Sequence, residues 1–317
     1  MNVIRGFLKG HFMSENILDN NIKLTISPFA TLDDDKVSFD GRINANRQEI
    51  FLKIKRGLLK VIDHEILFAI SNLRFCTSRQ ITQYLNYIRD IDIKQSVIQQ
   101  RLNVLNKNSI ISRYKFSNEN PSLALKVYCL EQIGKDLLRS KNYICHWQPT
   151  DTIYPEQSKK FLARNQFLLN CSKHLSNIKS YKISEKLGTL QTDLILELDN
   201  NSNYVVEVFR KNQTQEEINK ILIEYNTYLT SSENLKKYSF IAICEEDPHA
   251  FQIYKSIYMN KLSMQHFFTT DLRLIDEDIS KIFIKFIIED NKVLLNQIEV
   301  SNFRSKVNNA ETRICLD

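Results

Sequence analysis

Two short apolar segments, each carrying one carboxylate, constrain the fold of this chain more than any other feature. They run over residues 192–198 and 204–209 with a polar turn between them, which predicts two adjacent β-strands. Asp193 lies on the first strand and Glu207 on the second. Carboxylate oxygens are the ligands that Mg²⁺ prefers, so the pair predicts a metal site of the kind that acts on phosphate groups. Asp193 and Glu207 are therefore candidate metal ligands and candidate catalytic residues.

The elements around this pair indicate an α/β domain. The pattern predicts a long helix over residues 156–175, the two strands, a helix over 215–229, a strand over 238–244, a helix over 248–259 and a strand near 266–269. The strand at 239–244 is almost continuously apolar, as a buried strand should be. This order resembles a restriction-endonuclease-like α/β sandwich. The six glycines of the chain open no helix, which excludes a glycine-built phosphate cradle and a dinucleotide domain.

That fold usually carries a lysine two residues after the second acid, and this chain has Phe209 there. Side chains alternate along a strand, so Lys211 shares the face of Glu207 whereas Arg210 points away. Lys211 lies roughly 13 Å further along the strand by the standard rise, which is far for an intact site. The candidate catalytic set is thus Asp193, Glu207 and Lys211, with Mg²⁺ as the cofactor of an active nuclease. An inactive core without a cofactor is the preferred interpretation.

Other chemistries find less support in the sequence. There is no G-x-S-x-G motif for a serine hydrolase and no pair of histidines at metal-binding spacing. The six cysteines form no C-x-x-C pair, so we expect thiols rather than a zinc site. No apolar run approaches the length of a membrane span, and Arg5 and Lys9 interrupt the N-terminal apolar residues. A cytoplasmic location is therefore expected.

Positive charge is concentrated in one segment of the chain. Residues 51–145 contain 16 Lys and Arg against 7 Asp and Glu, a balance of +9, while the whole chain carries +6. Apolar spacing in this segment predicts a helix capped by Asp63, a second helix capped by Thr77 and a third over residues 94–106. Strands at 110–116 and 124–130 and a helix over 131–139 follow. Three helices, a two-stranded ribbon and a closing helix describe a winged helix, and the local excess of positive charge fits a polyanion partner.

The third helix of a winged helix is the one that enters the major groove of DNA. Its predicted outward residues are polar types that hydrogen-bond to base edges, and lysines and arginines of the ribbon can contact phosphates. A winged helix can also mediate protein contacts, and that alternative stays open. The predicted DNA-binding residues are Arg79, Lys94, Gln95, Ser96, Gln99, Gln100, Asn103, Arg113, Lys115 and Lys126.

A winged helix followed by this core resembles the replication-relaxation family of plasmid and integrative-element proteins, and more distantly the endonuclease subunit of Tn7-type transposition. The resemblance covers roughly residues 57–275. It rests on Asn165 in the long helix, the strand T-D-L-I at 192–195, the segment V-E-V-F-R at 206–210, and a Lys–Tyr helix matched by Lys220 with Tyr225 or Tyr228. It implies a protein that acts on DNA in a replication, relaxation or transposition complex.

The sequence thus predicts an α+β protein in four parts. These are an extension over residues 1–50, in which Asp33–Asp35 is expected to form a solvated loop, a winged-helix DNA-binding domain over 51–145, a restriction-endonuclease-like domain over 150–275, and a helix or strand pair with a mobile tail over 276–317. The preferred function is double-stranded DNA binding for a plasmid, phage or transposable element, with the nuclease-like domain serving assembly. The alternatives are a Mg²⁺-dependent endonuclease and a protein-interaction adaptor without DNA contact. The sequence does not decide the oligomeric state.

Overall fold

The computed structural model describes residues 26–40, 46–119, 124–143, 154–175, 177–199, 203–231, 238–275, 282–289 and 292–298. Some predicted features lie outside these ranges. The Asp-Gly pair at residues 40–41 predicts a hairpin of residues 37–39 with residues 42–43, and its second arm lies outside. So do residues 1–25, most of the predicted linker near residues 146–155 and the tail beyond residue 298.

The first half of the described chain is a group of helices with a small antiparallel sheet, ordered β1–β2–β3. The predicted helix at 94–106 and the elements at 110–116, 124–130 and 131–139 are confirmed to within one residue at each end. Thr77 caps its helix as expected, in a capping box with Gln80. The elements are β1 (Lys36–Phe39), α1 (Arg47–Lys55), α2 (Val61–Leu73), α3 (Ser78–Tyr87), α4 (Gln95–Lys107), β2 (Ile111–Ser117), β3 (Leu125–Leu130) and α5 (Gln132–Arg139).

Asp63 caps the first of these helices as predicted, but from the third helical position, in a capping box, rather than from the N-cap position. Helix α2 begins two residues earlier, and the carboxylate of Asp63 accepts a hydrogen bond from the Lys60 backbone N–H at 2.8 Å. Asp63 is fully buried, and Arg101 of α4 donates to both of its oxygens, from Nε at 2.8 Å and from Nη2 at 2.5 Å. Because two parallel N–H···O bonds fix the orientation of both groups, this pair holds α4 against α2.

The N-terminal segment is packed more closely than the sequence predicts. Strand β1 pairs with β2 in antiparallel register. Asp33 is exposed as expected, but the Asp35 side chain is buried and forms an ion pair with Lys159. The Lys159 ammonium also donates to the Ala30 carbonyl at 2.6 Å. A buried ammonium needs a counter-charge, and this segment supplies it.

The second half is built around a seven-stranded sheet of described strands, ordered β12–β11–β10–β9–β8–β7–β4. Strands β8, β9 and β10 run parallel, and the other pairs are antiparallel. The predicted helix at 215–229 and strand at 238–244 are confirmed residue for residue. The elements are α6 (Pro155–His174), β4 (Ile178–Ile183), β5 (Lys186–Leu187), β6 (Leu190–Gln191), β7 (Leu194–Leu198), β8 (Asn203–Val208), α7 (Gln215–Leu229), β9 (Tyr238–Cys244), α8 (Asp247–Met259), β10 (His266–Thr270), α9 (Asp271–Ile275), β11 (Phe283–Glu289) and β12 (Lys292–Ile298).

Three features of this sheet were not specified by the sequence prediction or differ from it. Strand β4 was not predicted, because its alternation of apolar and polar residues over 178–183 is weak. The segment after residue 281, expected as a helix or a strand pair, is a strand pair that extends the sheet past β10. Strand β7 begins at Leu194, so Asp193 stands immediately before it.

The apolar core is continuous between the two halves. One buried cluster joins residues of α2–α5 to α6 and to one face of the large sheet, and a second cluster joins α7 and α8 to the other face. Polar contacts cross the same boundary, since the Gln80 amide of α3 donates to the Leu162 carbonyl of α6 at 2.8 Å. Within the described residues no helix combines the length and apolar content that crossing a bilayer requires.

Candidate nucleic-acid interface and carboxylate site

Helix α4 presents a polar face to solvent. Ile98, Leu102 and Leu105 are fully buried at helical spacing, which turns the opposite residues outward. Apart from Val97, the exposed side chains of that outer face are hydrogen-bonding types, and no carboxylate is among them. The Gln95 amide also donates to the Ser78 hydroxyl at 3.1 Å. The exposed residues that the sequence predicted here are Lys94, Gln95, Ser96, Gln99, Gln100 and Asn103.

The sheet beside α4 adds positive charge. Lys115 of β2 and Lys126 of β3 are exposed and stand directly opposite each other in the strand register. Two like charges at such positions repel, so the arrangement is relieved when an anion approaches both. Arg113 is half-buried, donates to Asn103 Oδ1 at 2.8 Å and pairs with Asp40 at 2.9 Å, which ties the strand to α4. Arg79 is exposed in the first turn of α3.

The two predicted carboxylates lie side by side. Leu194 of β7 pairs with Val206 of β8, and Asp193 and Glu207 are the next residues beyond that pair. Both are buried. Asp193 Oδ2 accepts a hydrogen bond from the Val208 backbone N–H at 2.8 Å, which fixes the carboxylate against the neighbouring strand.

The cation at this pair is Lys160, from the second turn of α6. Its ammonium lies 3.0 Å from Asp193 Oδ2 and 2.9 Å from Glu207 Oε1. The other oxygen of Glu207 accepts a hydrogen bond from the Tyr225 hydroxyl of α7 at 2.8 Å. Of the two tyrosines that the family resemblance left open, Tyr225 is therefore the one that reaches the site. The Lys220 side chain of the same helix is exposed.

The pKa values of both Glu207 and Lys160 are raised, for different physical reasons. Burial, with the Asp193 charge beside it, raises the pKa of Glu207 to about 7, although Lys160 opposes the shift. For Lys160, burial lowers the pKa, but the carboxylates of Glu207 and Asp193 outweigh it, and the net pKa lies above the ordinary value. The ammonium thus stays charged at neutral pH while Glu207 is poised to gain a proton.

The structure does not bring the Lys211 ammonium to the carboxylates, which corrects the prediction that Lys211 belongs to the catalytic set. Its ammonium pairs with Glu246 at 2.6 Å, and the side chain is half exposed. Phe209 is fully buried in the cluster with α7 and α8. Arg210 forms a buried ion pair with Asp271 at 2.9 Å. The rise along the strand carries Lys211 past the edge where the acids lie, as its four-residue separation indicated.

The sequence reasoning missed Lys160, although a signal for it existed. Residues 161–171 are all buried, so α6 is enclosed on every side rather than along one stripe. A lysine at the start of such a helix must find a counter-charge, and Lys159 and Lys160 are consecutive. Lys159 finds Asp35, and Lys160 finds the carboxylate pair. Which acid each would meet depended on tertiary packing.

Asn165 has a structural role. Its amide donates to the carbonyls of Leu73 and Phe75, at 3.1 and 2.7 Å, and Arg164 donates to the Leu73 carbonyl at 3.0 Å. These carbonyls end α2, where the last groups of a helix lack intrahelical partners. Burial lowers the pKa of Arg164 to about 9. Asn165 and Arg164 thereby join α6 to the segment between α2 and α3.

The donor set at the carboxylate site fits one hard divalent cation. Two carboxylate oxygens converge on the point that the Lys160 ammonium holds, and Mg²⁺ is commonly bound by one or two carboxylates together with water or substrate oxygens. Among the described residues no group of three or more His, Cys, Asp or Glu side chains is arranged to hold a metal. Asp193 and Glu207 would hold such an ion, and Lys160 would have to move for it to enter.

Comparison with known proteins gives a family match and weak structural likenesses. The model of the family described as Replication-relaxation matches residues 67–242, more than half of the 317-residue chain. No curated protein matches the chain. A solved structure of an EndoMS–dsDNA2 complex is similar at 10% identity and a TM-score of 0.22, over 49% of this chain and 59% of that chain, and a likeness this distant carries no argument. The family match spans helices α2 to α7 and both carboxylates, and on it the chain belongs to the replication-relaxation family.

Proposed function

We propose that this protein binds duplex DNA through a winged helix, with α4 in the major groove and the β2–β3 ribbon on the phosphate backbone. The observation that carries the proposal is the exposed polar face of α4, bordered by the opposed lysines of the ribbon. Amide and hydroxyl side chains of this kind read base edges, and lysines neutralise phosphates. The family name and the +9 balance of residues 51–145 agree with a DNA partner.

In this proposal the second half is a restriction-endonuclease-like domain that serves assembly rather than cleavage. Lys160 supplies the charge that would otherwise come from a metal, so the two acids are satisfied without one. The limits of the two domains remain those expected from the sequence, residues 51–145 and 150–275. The partners would be DNA and other proteins of a replication, relaxation or transposition complex, in line with the family's name.

Fluorescence anisotropy with a labelled duplex, measured over a salt series, tests the DNA contact. We expect binding at about 50 mM salt that weakens steeply with added salt, because each neutralised phosphate releases counterions. The double variant Lys115→Ala/Lys126→Ala should reduce the logarithmic salt slope by about 0.9 per lost contact. Lys255→Ala is the matched control, since Lys255 is an exposed lysine on α8, which packs on the opposite face of the large sheet from α6. Absence of binding at low salt would favour the protein-adaptor alternative.

A Mg²⁺-dependent endonuclease is the second candidate, favoured by one specific observation. Asp193, Glu207 and Lys160 meet within hydrogen-bond distance, so the cation absent at Phe209 is supplied from α6. A bound Mg²⁺ would polarise a phosphate and lower the pKa of water. In this alternative Asp193 and Glu207 would bind the ion, and Lys160 would turn toward the phosphate or the attacking water.

Incubation with supercoiled plasmid and Mg²⁺ or Mn²⁺ separates the two candidates. The endonuclease reading requires nicking by the wild type that disappears in Asp193→Asn/Glu207→Gln. The assembly reading requires no nicking above that of the double variant while DNA binding persists. The substitutions to amides keep the size of both side chains. DNA binding by the double variant, measured by the same anisotropy experiment, shows that it is folded.

A further inference from the structure

A polar cleft lies between the helix-turn-helix and the long helix of the second half. It encloses about 200 Å³ and is lined by one face of α3, by the first residue of α4, and by side chains of α6 and α9. Where helices pack against each other, the side chains between them are usually apolar. Here five of the eleven lining residues are amides, and two more are the cations Arg79 and Lys173.

The floor of the cleft is fixed by hydrogen bonds among its own amides. The Gln166 amide donates to Asn170 Oδ1 at 2.9 Å and to Gln83 Oε1 at 3.3 Å, and the Asn170 amide donates to the Leu274 carbonyl at 2.8 Å. The floor is therefore ordered across both halves of the molecule. Ligand recognition is left to the groups at the rim.

The charge of the rim is positive. Among the described residues that line the cleft, Arg79 and Lys173 are cationic and no carboxylate is present. Both side chains are exposed. The Lys173 ammonium stands over the Tyr87 ring, 5.6 Å from its centre. An ammonium over a ring keeps N–H donors for an anion, whereas the covered face of the ring is closed to a stacked base.

The cleft is continuous with the proposed DNA surface. Gln95 belongs to both, since it begins α4 and also lines the cleft. Arg79, at the start of α3, likewise belongs to both. A DNA strand that leaves the major-groove contact of α4 would therefore meet the positive charge of the cleft next. It would meet no carboxylate among the described residues that line the cleft.

We propose that this cleft holds the phosphate backbone of one strand of the duplex bound by α4, with Lys173 of α6 as a phosphate contact. The inference rests on the proposed DNA-binding function and extends the interface from the helix-turn-helix onto the second half. Lys173 then has a role that no helix-turn-helix residue can perform, because it fixes the orientation of the second half relative to the duplex.

Lys173→Gln, measured by anisotropy with the same labelled duplex over a salt series, tests the contact. Loss of one phosphate contact should lower the salt slope by about 0.9, which corresponds to about eightfold weaker binding at 0.1 M salt. Lys173→Arg should bind like the wild type, because it keeps the charge at the same place. Lys255→Ala, on the opposite face of the sheet, should leave affinity and slope unchanged.

The outcomes separate this inference from the function on which it rests. An unchanged slope in Lys173→Gln, while the ribbon variant Lys115→Ala/Lys126→Ala loses slope, overturns the cleft contact and leaves DNA binding in place. Weaker binding at an unchanged slope also overturns it, since that pattern indicates a packing effect rather than a lost phosphate. If the wild type binds no duplex at low salt, both proposals fail together.

Discussion

Two groups of charged residues, one around α4 in the first half and one around α6 and β8 in the second half, differ in their exposure to solvent. In the first half Lys94 and Lys107, at the two ends of α4, and the lysines of the β2–β3 ribbon point to solvent. Buried Asp63, which holds two helices together through Arg101, and buried Lys135 are exceptions. In the second half Lys159, Arg164, Glu207 and Arg210 are buried and satisfied by named partners. Exposed charge is available to a partner molecule, whereas buried charge is committed to the fold.

This difference has a physical consequence for each half. An exposed charge contributes little to stability, because water screens it, but it attracts a polyanion over long distances. A buried charge has lost its hydration and depends on its partner, so removing that partner is costly. We therefore expect substitutions of the exposed cations that border α4 to change binding and substitutions of the buried charges to change stability.

The largest expected effect is at the Arg210–Asp271 pair. Arg210→Ala leaves Asp271 buried without its cation and should lower the free energy of unfolding by about 3–5 kcal/mol. Urea denaturation measures this loss. The control is Lys182→Ala, which breaks the exposed pair with Glu197 and should cost at most about 1 kcal/mol. Equal losses in the two variants would contradict the distinction between buried and exposed charge.

The next effect is at the carboxylate site. Lys160→Met removes the ammonium between Asp193 and Glu207 and should lower the free energy of unfolding by about 3 kcal/mol at pH 8. At pH 5.5 the loss should be smaller, because Glu207 can bind a proton and relieve the repulsion between the acids.

The same variant should bind Mn²⁺ more tightly than the wild type, since the cation position between the acids is vacated. Isothermal titration calorimetry measures this gain. Lys182→Ala is again the control and should gain no affinity. Unchanged Mn²⁺ affinity in Lys160→Met would mean that the two acids alone are an insufficient metal site.

The contrast between the halves also explains how much the sequence revealed. The bounds of α4 and of the ribbon followed from local periodicity to within one residue, since an amphipathic element shows its buried and exposed faces in its own residues. Asp193 and Glu207 were predicted as neighbours because strands that follow each other closely usually pair. These features depend on residues near each other in the chain.

The features that the sequence missed depend on distant residues. Lys160 meets acids 33 and 47 positions away, and Lys159 meets Asp35 across 124 positions. Local patterning carries no information about such pairs beyond the fact that a lysine in an enclosed helix needs one. Lys211 was chosen for the catalytic set because alternation alone placed it on the right face, and its partner Glu246 lies after the next strand.

A smaller effect concerns the pH dependence of stability. The pKa of Glu207 is raised from its ordinary 4.5 to about 7, so between these values the folded state holds a proton that the unfolded state has released. Stability should therefore fall as pH rises through this window and level off above it. The difference in free energy of unfolding between wild type and Glu207→Gln should fall by on the order of 2 kcal/mol from pH 5 to pH 8.

Taking the difference between these two proteins removes the other titrating groups, since both proteins contain them. Asp271, whose pKa burial also raises to about 7, and His249, whose pKa burial lowers to about 4, contribute equally to each. A difference that stays constant with pH would show that Glu207 is ionised in the folded state throughout the range.

The smallest effect on stability is expected at exposed Lys94, where a substitution should still weaken DNA binding. Lys94→Ala, at the exposed start of α4, should change the free energy of unfolding by no more than about 0.5 kcal/mol, because its side chain is outside the core. It should nevertheless weaken duplex binding and lower the salt slope by about 0.9, the value for one phosphate contact. Urea denaturation and anisotropy on the same preparation measure both. A variant that lost stability along with binding would show that Lys94 contributes to the fold. It would then contradict the distinction between exposed charges that bind a partner and buried charges that stabilise the protein.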